Sequence, residues 1–374
     1  MGVQGLWALL SKKHAEVFKD VGDLSAHRGQ VFGIDTSIYM HRLCLEDPTR
    51  APVMAFLEQA REIQAAGVTP VYIFDGKRGP IKQHEHARRR EQKERMLEQA
   101  EQRKEFLERV EKLDGIINEE TLREAVAEKA PVDVKRALTC SKVVEVAGLG
   151  EITVETSPEE VVKEIRQRHV RDEAAVHYIP DSHYHELMQM LDEHGIGYYI
   201  AKSEAEKLGA QLTRSGKIDV FVTDDGDALP FGAKRILRNL FRSGKTGMQF
   251  VDIADVLRAL DLTREQFVDV CVISGCDFTQ SRGIPSLGPG KAIKVVKKHG
   301  SLAAYMDSQD WQSKLAWIAN SRYSFDVEHF QHAAAREMFM GDECQIAYVS
   351  HALDPTAEPM EFRSKRRKLS EPCF

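Results

Sequence analysis

Short apolar runs that end in acids dominate the hydrophobic pattern of this chain. Gln30-Val31-Phe32-Gly33-Ile34-Asp35 is one and Pro70-Val71-Tyr72-Ile73-Phe74-Asp75-Gly76 is a second. Asp219-Val220-Phe221-Val222-Thr223, leading to Asp225 and Asp227, is a third. Each is rich in β-branched or aromatic residues, and helical sequence separates each from the next. That alternation predicts a mainly parallel sheet with helices on its faces, an α/β fold. Open α/β sheets bind ligands beyond the carboxyl ends of their strands, where all three runs place carboxylates. Gln83 to Arg109 is charged and free of Gly and Pro, which predicts one long helix. From Val110 to about Arg171 the pattern turns irregular, with Gly148-Leu149-Gly150 and Ser157-Pro158, and reads as an insertion. Helices are expected over 181–191 and 203–214, around a short strand at 197–200. Two more are expected over 253–260 and 264–274, before a Gly-rich segment at 283–290. Beyond His351 the composition is that of a disordered end.

Charge changes the picture only when it is counted by region. The 374 residues carry a formal net charge of −6, an unpromising total for a nucleic-acid binder. Lys77 to Arg109, however, holds 11 Lys/Arg against 7 Asp/Glu, and Gly283 to Gly300 holds 4 Lys and no acid. Arg363 to Lys368 has 5 basic residues in 6, whereas Glu111 to Glu173 has 15 acids against 10 bases. Segregated basic patches can bind phosphate whatever the total. No run of eighteen apolar residues occurs, so no membrane-spanning helix is expected. The first residues, MGVQGLWALLSKK, lack the pattern of a signal peptide. The six cysteines form no CxxC pair, which fits reduced thiols in a cytosolic or nuclear setting.

Seven acids are candidates for chemistry: Asp35, Asp75, Glu204, Glu206, Asp225, Asp227 and Asp277. Oxygen ligands suit Mg²⁺ or Mn²⁺. Two such ions about 4 Å apart can activate water and stabilise the leaving oxygen of a phosphodiester. If the third strand continued, Asp225 and Asp227 would share one face. Each acid taken singly fits a turn or a helix cap as well. Ser203-Glu204-Ala205-Glu206 matches a capping box, and both glutamates can face one ion only if the helix starts between them.

The same residues carry a resemblance to a known family. MGVQGLW, GIDTSIYMHR around Asp35 and VYIFDGKRGPIKQHEHARRR around Asp75 resemble the N-terminal region of the flap endonuclease/XPG superfamily of structure-specific 5′ nucleases. SEAEKLGAQL, VTDDGDALPFGAKRILRNL, FVDVCVISGCDF and RGIPSLGPGKAIKVVKKHGSL resemble its internal region, in the same order. The resemblance covers roughly residues 1–95 and 178–302. It implies a PIN-like sheet, a helical arch over the site, and a helix–two-turn–helix within about 265–300. It implies that the seven acids hold two Mg²⁺ ions, with Mn²⁺ able to substitute, and that Lys82 and Arg89 are the catalytic lysine and arginine. These two are seven apart, and so on one face of a helix, where they would clamp the scissile phosphate. It also implies DNA contacts from Gly2, near the site, and from Gly283, Gly288, Gly290, Lys291 and Lys294 of the hairpin. A K⁺ ion held by hairpin carbonyls is part of the same expectation. Tyr39 and His41 are expected near an unpaired nucleotide. His41, six residues after Asp35, is a feature of the exonuclease branch.

The expected organisation is an N-terminal nuclease region at 1–105 and an insertion in the arch region at 106–175. An internal nuclease region at 176–350 and a flexible basic tail at 351–374 follow. Asp75 to Glu204 is longer than in typical members, which bears on how a single strand would pass. No clamp-binding box occurs in the tail, and Lys365-Arg366-Arg367-Lys368 fits either a nuclear localisation signal or a DNA-adhesive tail. The expected activity is hydrolysis of DNA near junctions of single and double strand, such as 5′ flaps, nicks and gaps, in replication, repair or recombination. The rivals are a 5′ exonuclease of the same superfamily, a non-catalytic junction scaffold and a PIN-type ribonuclease. Nothing in the sequence suggests a symmetric interface, so a nuclear monomer is expected.

Overall fold

The structure is a computed structural model. It describes residues 2–46, 52–76, 82–111, 144–146, 150–152, 162–170, 179, 181–240, 247–279, 283–323, 325–341 and 346–356. Much of the expected insertion, and the basic run at 365–368, lie outside these residues.

In chain order the strands are β1 (Phe18–Asp20), β2 (Val31–Asp35), β3 (Thr69–Phe74), β4 (Val144–Val146) and β5 (Gly150–Ile152). They continue with β6 (Tyr198–Ala201), β7 (Val220–Val222), β8 (Arg235–Arg238), β9 (Gln249–Asp252) and β10 (Ile346–Val349). The helices begin with α1 (Leu6–Lys13), α2 (Thr36–Glu46), α3 (Pro52–Ala65), α4 (Gln83–Glu111) and α5 (162–170). After them come α6 (Asp181–Glu193), α7 (Ala205–Ser215), α8 (Ile253–Leu260) and α9 (Arg264–Ser274). The last are α10 (Pro289–His299), α11 (Leu302–Met306), α12 (Gln309–Ala319) and α13 (His332–Met340). Among the described residues no helix is long and apolar enough to cross a membrane.

Contacts divide the chain into two compact units. One comprises residues 1–43, 50–85 and 180–374; the other comprises 44–49 and 86–179. The first unit holds an eight-stranded sheet in the order β1-β9-β8-β7-β2-β3-β6-β10. Its centre is parallel: β2 pairs with β3 and β7, β3 with β6, and β7 with β8. The flanks are antiparallel, with β9 on β8, β1 on β9 and β10 on β6. This mixed, mostly parallel α/β architecture is the fold expected from the sequence. In the second unit β4 and β5 pair as an antiparallel hairpin, and the apolar face of α4 buries Ala100, Phe106 and Leu107.

The central strands read as unbroken apolar runs because helices cover both of their faces. Phe32, Ile34, Tyr72, Ile73, Val220 and Phe221 are all buried. At Gly209 of α7 a Cβ would lie 2.4 Å from the Phe221 ring, so only the absence of a side chain lets this helix press on β7. α9 is buried from Phe267 to Ser274, which brings the loop after it to the rim of the sheet. Four strands of this eight-stranded sheet escape the sequence pattern: β1, β8, β9 and β10. Each has three or four residues, and Arg235-Ile236-Leu237-Arg238 buries only its two central ones, too few to show a period.

Candidate active site

Each central strand delivers an acid to the carboxyl rim, and a neighbouring polar group fixes its rotamer. Asp35 ends β2 with 2% of its surface exposed. Its Oδ2 accepts the Thr223 hydroxyl at 2.9 Å and its Oδ1 the Ile38 amide at 3.3 Å. The same Thr223 Oγ1 accepts the Asp225 amide at 3.1 Å, so one hydroxyl sets two adjacent acids.

Asp75 follows β3 by one residue. Its Oδ2 accepts the Ser37 hydroxyl at 2.6 Å and its Oδ1 the Ala205 amide at 2.8 Å. Ala205 is the first residue of α7, so Asp75 satisfies an amide at that helix start. The S-x-x-E pattern therefore does not set the boundary. The N-cap is Glu204, which makes no side-chain cap bond, and Glu206 lies in the first turn. With the start between them, both glutamates reach Asp75. Carboxylate oxygens of Asp75, Glu204 and Glu206 all lie within 4.8 Å of one another.

Asp225 and Asp227 meet by a different route from a continued strand. β7 stops at Val222, and Gly226–Ala228 forms a single 3-10 turn capped by Asp225. The Asp225 Oδ1 accepts the Asp227 amide at 2.9 Å, which folds the two carboxylates into the same corner. Asp277 follows α9 closely, and its charge acts on Glu204, Asp225 and Asp227. The structure thus brings all seven sequence-selected acids together. Lys82 joins them through an ion pair with Glu204 Oε2, its ammonium 4.8 Å from the centre of the Phe278 ring.

Like charges at this density are costly when buried. Burial, then the charge of Asp75, pushes the Asp35 carboxyl up to about 8. Burial is also the first cause for Glu206 and Asp227, both well above the usual range, and for Glu204 and Asp225, which are raised. Burial opposes the Lys82 ammonium, but Glu206, Glu204 and Asp227 outweigh it and hold that group charged. Two oxygens, Glu206 Oε2 and Asp227 Oδ1, are buried with no hydrogen-bond partner among the described residues. Orphaned carboxylate oxygens are unfavourable in a protein interior. A hard divalent cation would satisfy them and neutralise the crowding, and an all-oxygen donor set fits Mg²⁺ or Mn²⁺.

The remaining candidates fall in varied places. Gly2 has φ 78°, and a Cβ there would lie 2.1 Å from Asp225 Oδ1, so the N-terminal backbone passes directly over the acidic turn. Tyr39 needs correction: it is 1% exposed with the Arg42 guanidinium 4.9 Å over its ring, and it offers no face to a nucleotide. Its apolar ring is drawn into the core on the inner face of α2, whereas His41 lies on the exposed face. Arg89 is exposed on α4, in the second unit.

In the hairpin between α9 and α10, Gly283 has φ 79°, and a Cβ would meet the Ser274 carbonyl carbon at 2.4 Å. The Ile284 amide donates to Ile273 O at 2.8 Å, folding the turn back onto the end of α9. Gly288 caps α10 and Gly290 lies in its first turn, near Leu9. Lys297 pairs with Asp261 and Lys298 with Asp310, while Lys291 and Lys294 are exposed without an ion pair among the described residues.

The sequence reading missed four residues that hold this site in shape: Ser37, Thr223, Asp224 and Arg42. Asp224 forms an ion pair with Arg42 and accepts the Asn239 amide at 2.8 Å, while its carbonyl accepts Trp7 Nε1 at 3.1 Å. Arg238 covers the Trp7 ring at 3.8 Å. A polar Thr223 at the buried end of an apolar strand was the available signal.

Comparison with known proteins points the same way. The XPG N-terminal domain matches residues 1–96 and the XPG I-region matches residues 195–277. Flap endonuclease 1 of Pyricularia oryzae is 27% identical over 321 residues, 82% of this chain and 66% of that protein. Flap endonuclease 1 of Aspergillus clavatus is 25% identical over 361 residues, 93% of this chain and 74% of that protein. Among solved structures, the catalytic core of Rad2 in complex with DNA substrate superposes with a TM-score of 0.60 at 17% identity, covering 92% of this chain and 88% of that one. Human GEN1 in complex with Holliday junction DNA gives a TM-score of 0.53 at 15% identity, covering 93% of this chain and 68% of that one. At these identities the structural likeness speaks to fold alone.

Proposed function

This chain belongs to the flap endonuclease/XPG superfamily, and on that premise we propose that it is a structure-specific DNA nuclease. Its substrate would be DNA at junctions of single and double strand, with 5′ polarity. The convergence of seven carboxylates, two of them with orphaned buried oxygens, carries this reading. Non-catalytic scaffolding gives no reason to crowd buried acids at an energetic cost.

Asp35, Asp75, Glu204 and Glu206 would hold mainly one Mg²⁺, and Asp225, Asp227 and Asp277 the other. Bound there, the ions supply Lewis acidity toward the phosphate and an acidified water. The protein's part is orientation and charge. Thr223 and Ser37 fix the acids before any substrate arrives, so little reorganisation is needed when charge develops. Lys82, held charged beside Glu204, would swing its ammonium from that ion pair to a phosphoryl oxygen as DNA enters. Arg89 would act beside Lys82 in this reading, and the insertion expected at 106–175 would fall in the arch region. Gly283 to Lys294 would grip one strand of the duplex, with K⁺ at the hairpin carbonyls. A nuclear monomer acting in replication, repair or recombination is the setting this chemistry fits.

The test is a 5′-labelled double-flap DNA incubated with Mg²⁺, beside an Asp225→Ala control. A product cut at the junction, absent in the control, supports the reading. Mononucleotide release moves the protein to the exonuclease branch with its site intact. Tight binding with no cleavage by either protein overturns the enzymatic reading.

A further inference from the structure

Among the described residues few large apolar side chains stand in solvent, and two of these are neighbours. Trp317 on α12 is 45% exposed and Tyr323, just beyond that helix, is 43% exposed. Their ring centres are 5.7 Å apart and their planes are tilted by 35°. α12 turns Trp311 and Ile318 to the core, so Trp317 is on the face that the fold leaves uncovered. Cations flank both rings: Lys314 Nζ is 3.9 Å from the Trp317 centroid and Arg322 Cζ is 5.8 Å from that of Tyr323.

This patch is continuous with the hairpin. Lys314 Nζ donates to Ser286 Oγ at 2.9 Å, and Ser286 is at the hairpin tip with φ 62°. Lys314 is close enough to Lys291 of α10 that, after burial, the charge of Lys291 lowers its proton affinity. Two cations held near each other favour a phosphate between or beside them. Exposed aromatic rings flanked by cations are the chemistry that holds unpaired bases and their backbone.

We propose that Trp317 and Tyr323, with Lys314 and Arg322, form a stacking platform for unpaired nucleotides that leave the duplex gripped at the hairpin. Lys314 and Arg322 hold the phosphates, while the two rings receive bases regardless of sequence. The proposal rests on the nuclease reading for its ligand class. It adds a single-strand contact on α12 and the turn after it, made by residues outside the seven-carboxylate set.

Binding is measured by fluorescence anisotropy in EDTA, so that nothing is cut. The probes are a blunt duplex and the same duplex with an oligothymidine overhang on either strand. Double-flap cleavage with Mg²⁺ is followed in parallel. Trp317→Ala and Tyr323→Ala should each weaken overhang binding about tenfold and leave blunt binding unchanged. Trp317→Phe should retain most of the preference. Unchanged unfolding temperatures exclude a folding defect, since both side chains are exposed. Equal losses on blunt and overhang DNA would make the patch a duplex contact and overturn the stacking proposal. Wild-type behaviour of both alanine variants, with flap cleavage intact, overturns the platform and spares the nuclease reading. A wild-type protein that neither binds nor cuts either DNA overturns both, and leaves the aromatic pair to a peptide partner.

Discussion

At the carboxyl rim of the sheet, charged groups are buried, and Asp35, Asp225 and Asp227 are each 5% exposed or less. On α10, Lys291 and Lys294 stand in solvent. The two regions would meet the same phosphodiester backbone, and they differ in how each residue contributes. Asp35 and Asp225 are fixed by a neighbour's hydroxyl or amide, Asp227 keeps an orphaned oxygen, and all three are repelled by other acids, so the cluster responds as a unit to the loss of one member. The lysines are screened by water and salt, so each adds a small, nearly independent share. Under the proposed function, catalysis would be concentrated in the region that is costly to build, and affinity spread over the region that is cheap to vary.

The sharpest way to break this contrast is Asp225→Ala, which should lower cleavage on the order of a thousandfold or more while metal-free flap binding persists. Single-turnover rates beside anisotropy would show it, and parallel losses of both would refute the division of labour. Lys82→Ala comes next, with roughly a hundredfold fall in kcat and partial recovery in Lys82→Arg. A loss confined to KM would place Lys82 with the affinity region instead.

Proton linkage gives a third, smaller effect. Burial and Asp75 raise Asp35 from an ordinary value of 3.8 to about 8. Its contribution to metal-free stability is therefore full below about pH 4 and lost as pH rises toward 8. Thermal unfolding of the metal-free protein should show that decline, and Asp35→Asn should flatten it. Mg²⁺ must displace the protons, so its affinity should rise from pH 6 to 8 with measurable proton release in calorimetry. An affinity independent of pH would show that the acids are already ionised. Smallest are Lys291→Ala and Lys294→Ala, each expected to weaken duplex binding a few-fold and reduce the salt slope by about one, with kcat unchanged.

The parallel block of the sheet was legible because strands covered on both faces write long apolar runs, and the acids were legible because they end those runs. Ile253–Leu260 and Arg264–Ser274 were read with their observed bounds; the first carries an apolar period and the second begins at a Thr263/Gln266 capping box. The short edge strands were not legible, because Phe18-Lys19-Asp20 is a strand only by virtue of β9 beside it. Asp225 and Asp227 were paired for the wrong local reason, since a strand and a 3-10 turn both bring such residues near each other. Tyr39 was assigned to DNA because an aromatic near a site suggests stacking, while its burial depends on the path of α2. Ser37 and Thr223 orient acids across strands, a relation that one chain's order does not display.

The outer strand β10 has one more consequence, in time. β6 ends at Ala201, yet its open edge waits for Ile346–Val349 and for Ser350, which receives the Tyr198 amide at 2.9 Å. A ribosome takes roughly ten to thirty seconds to make the intervening stretch. During that interval the nascent chain carries the unpaired edge of β6, the kind of surface that recruits other strands. Truncation before β10 should therefore leave the acidic residues in place and cost the cell soluble protein, through aggregation during synthesis.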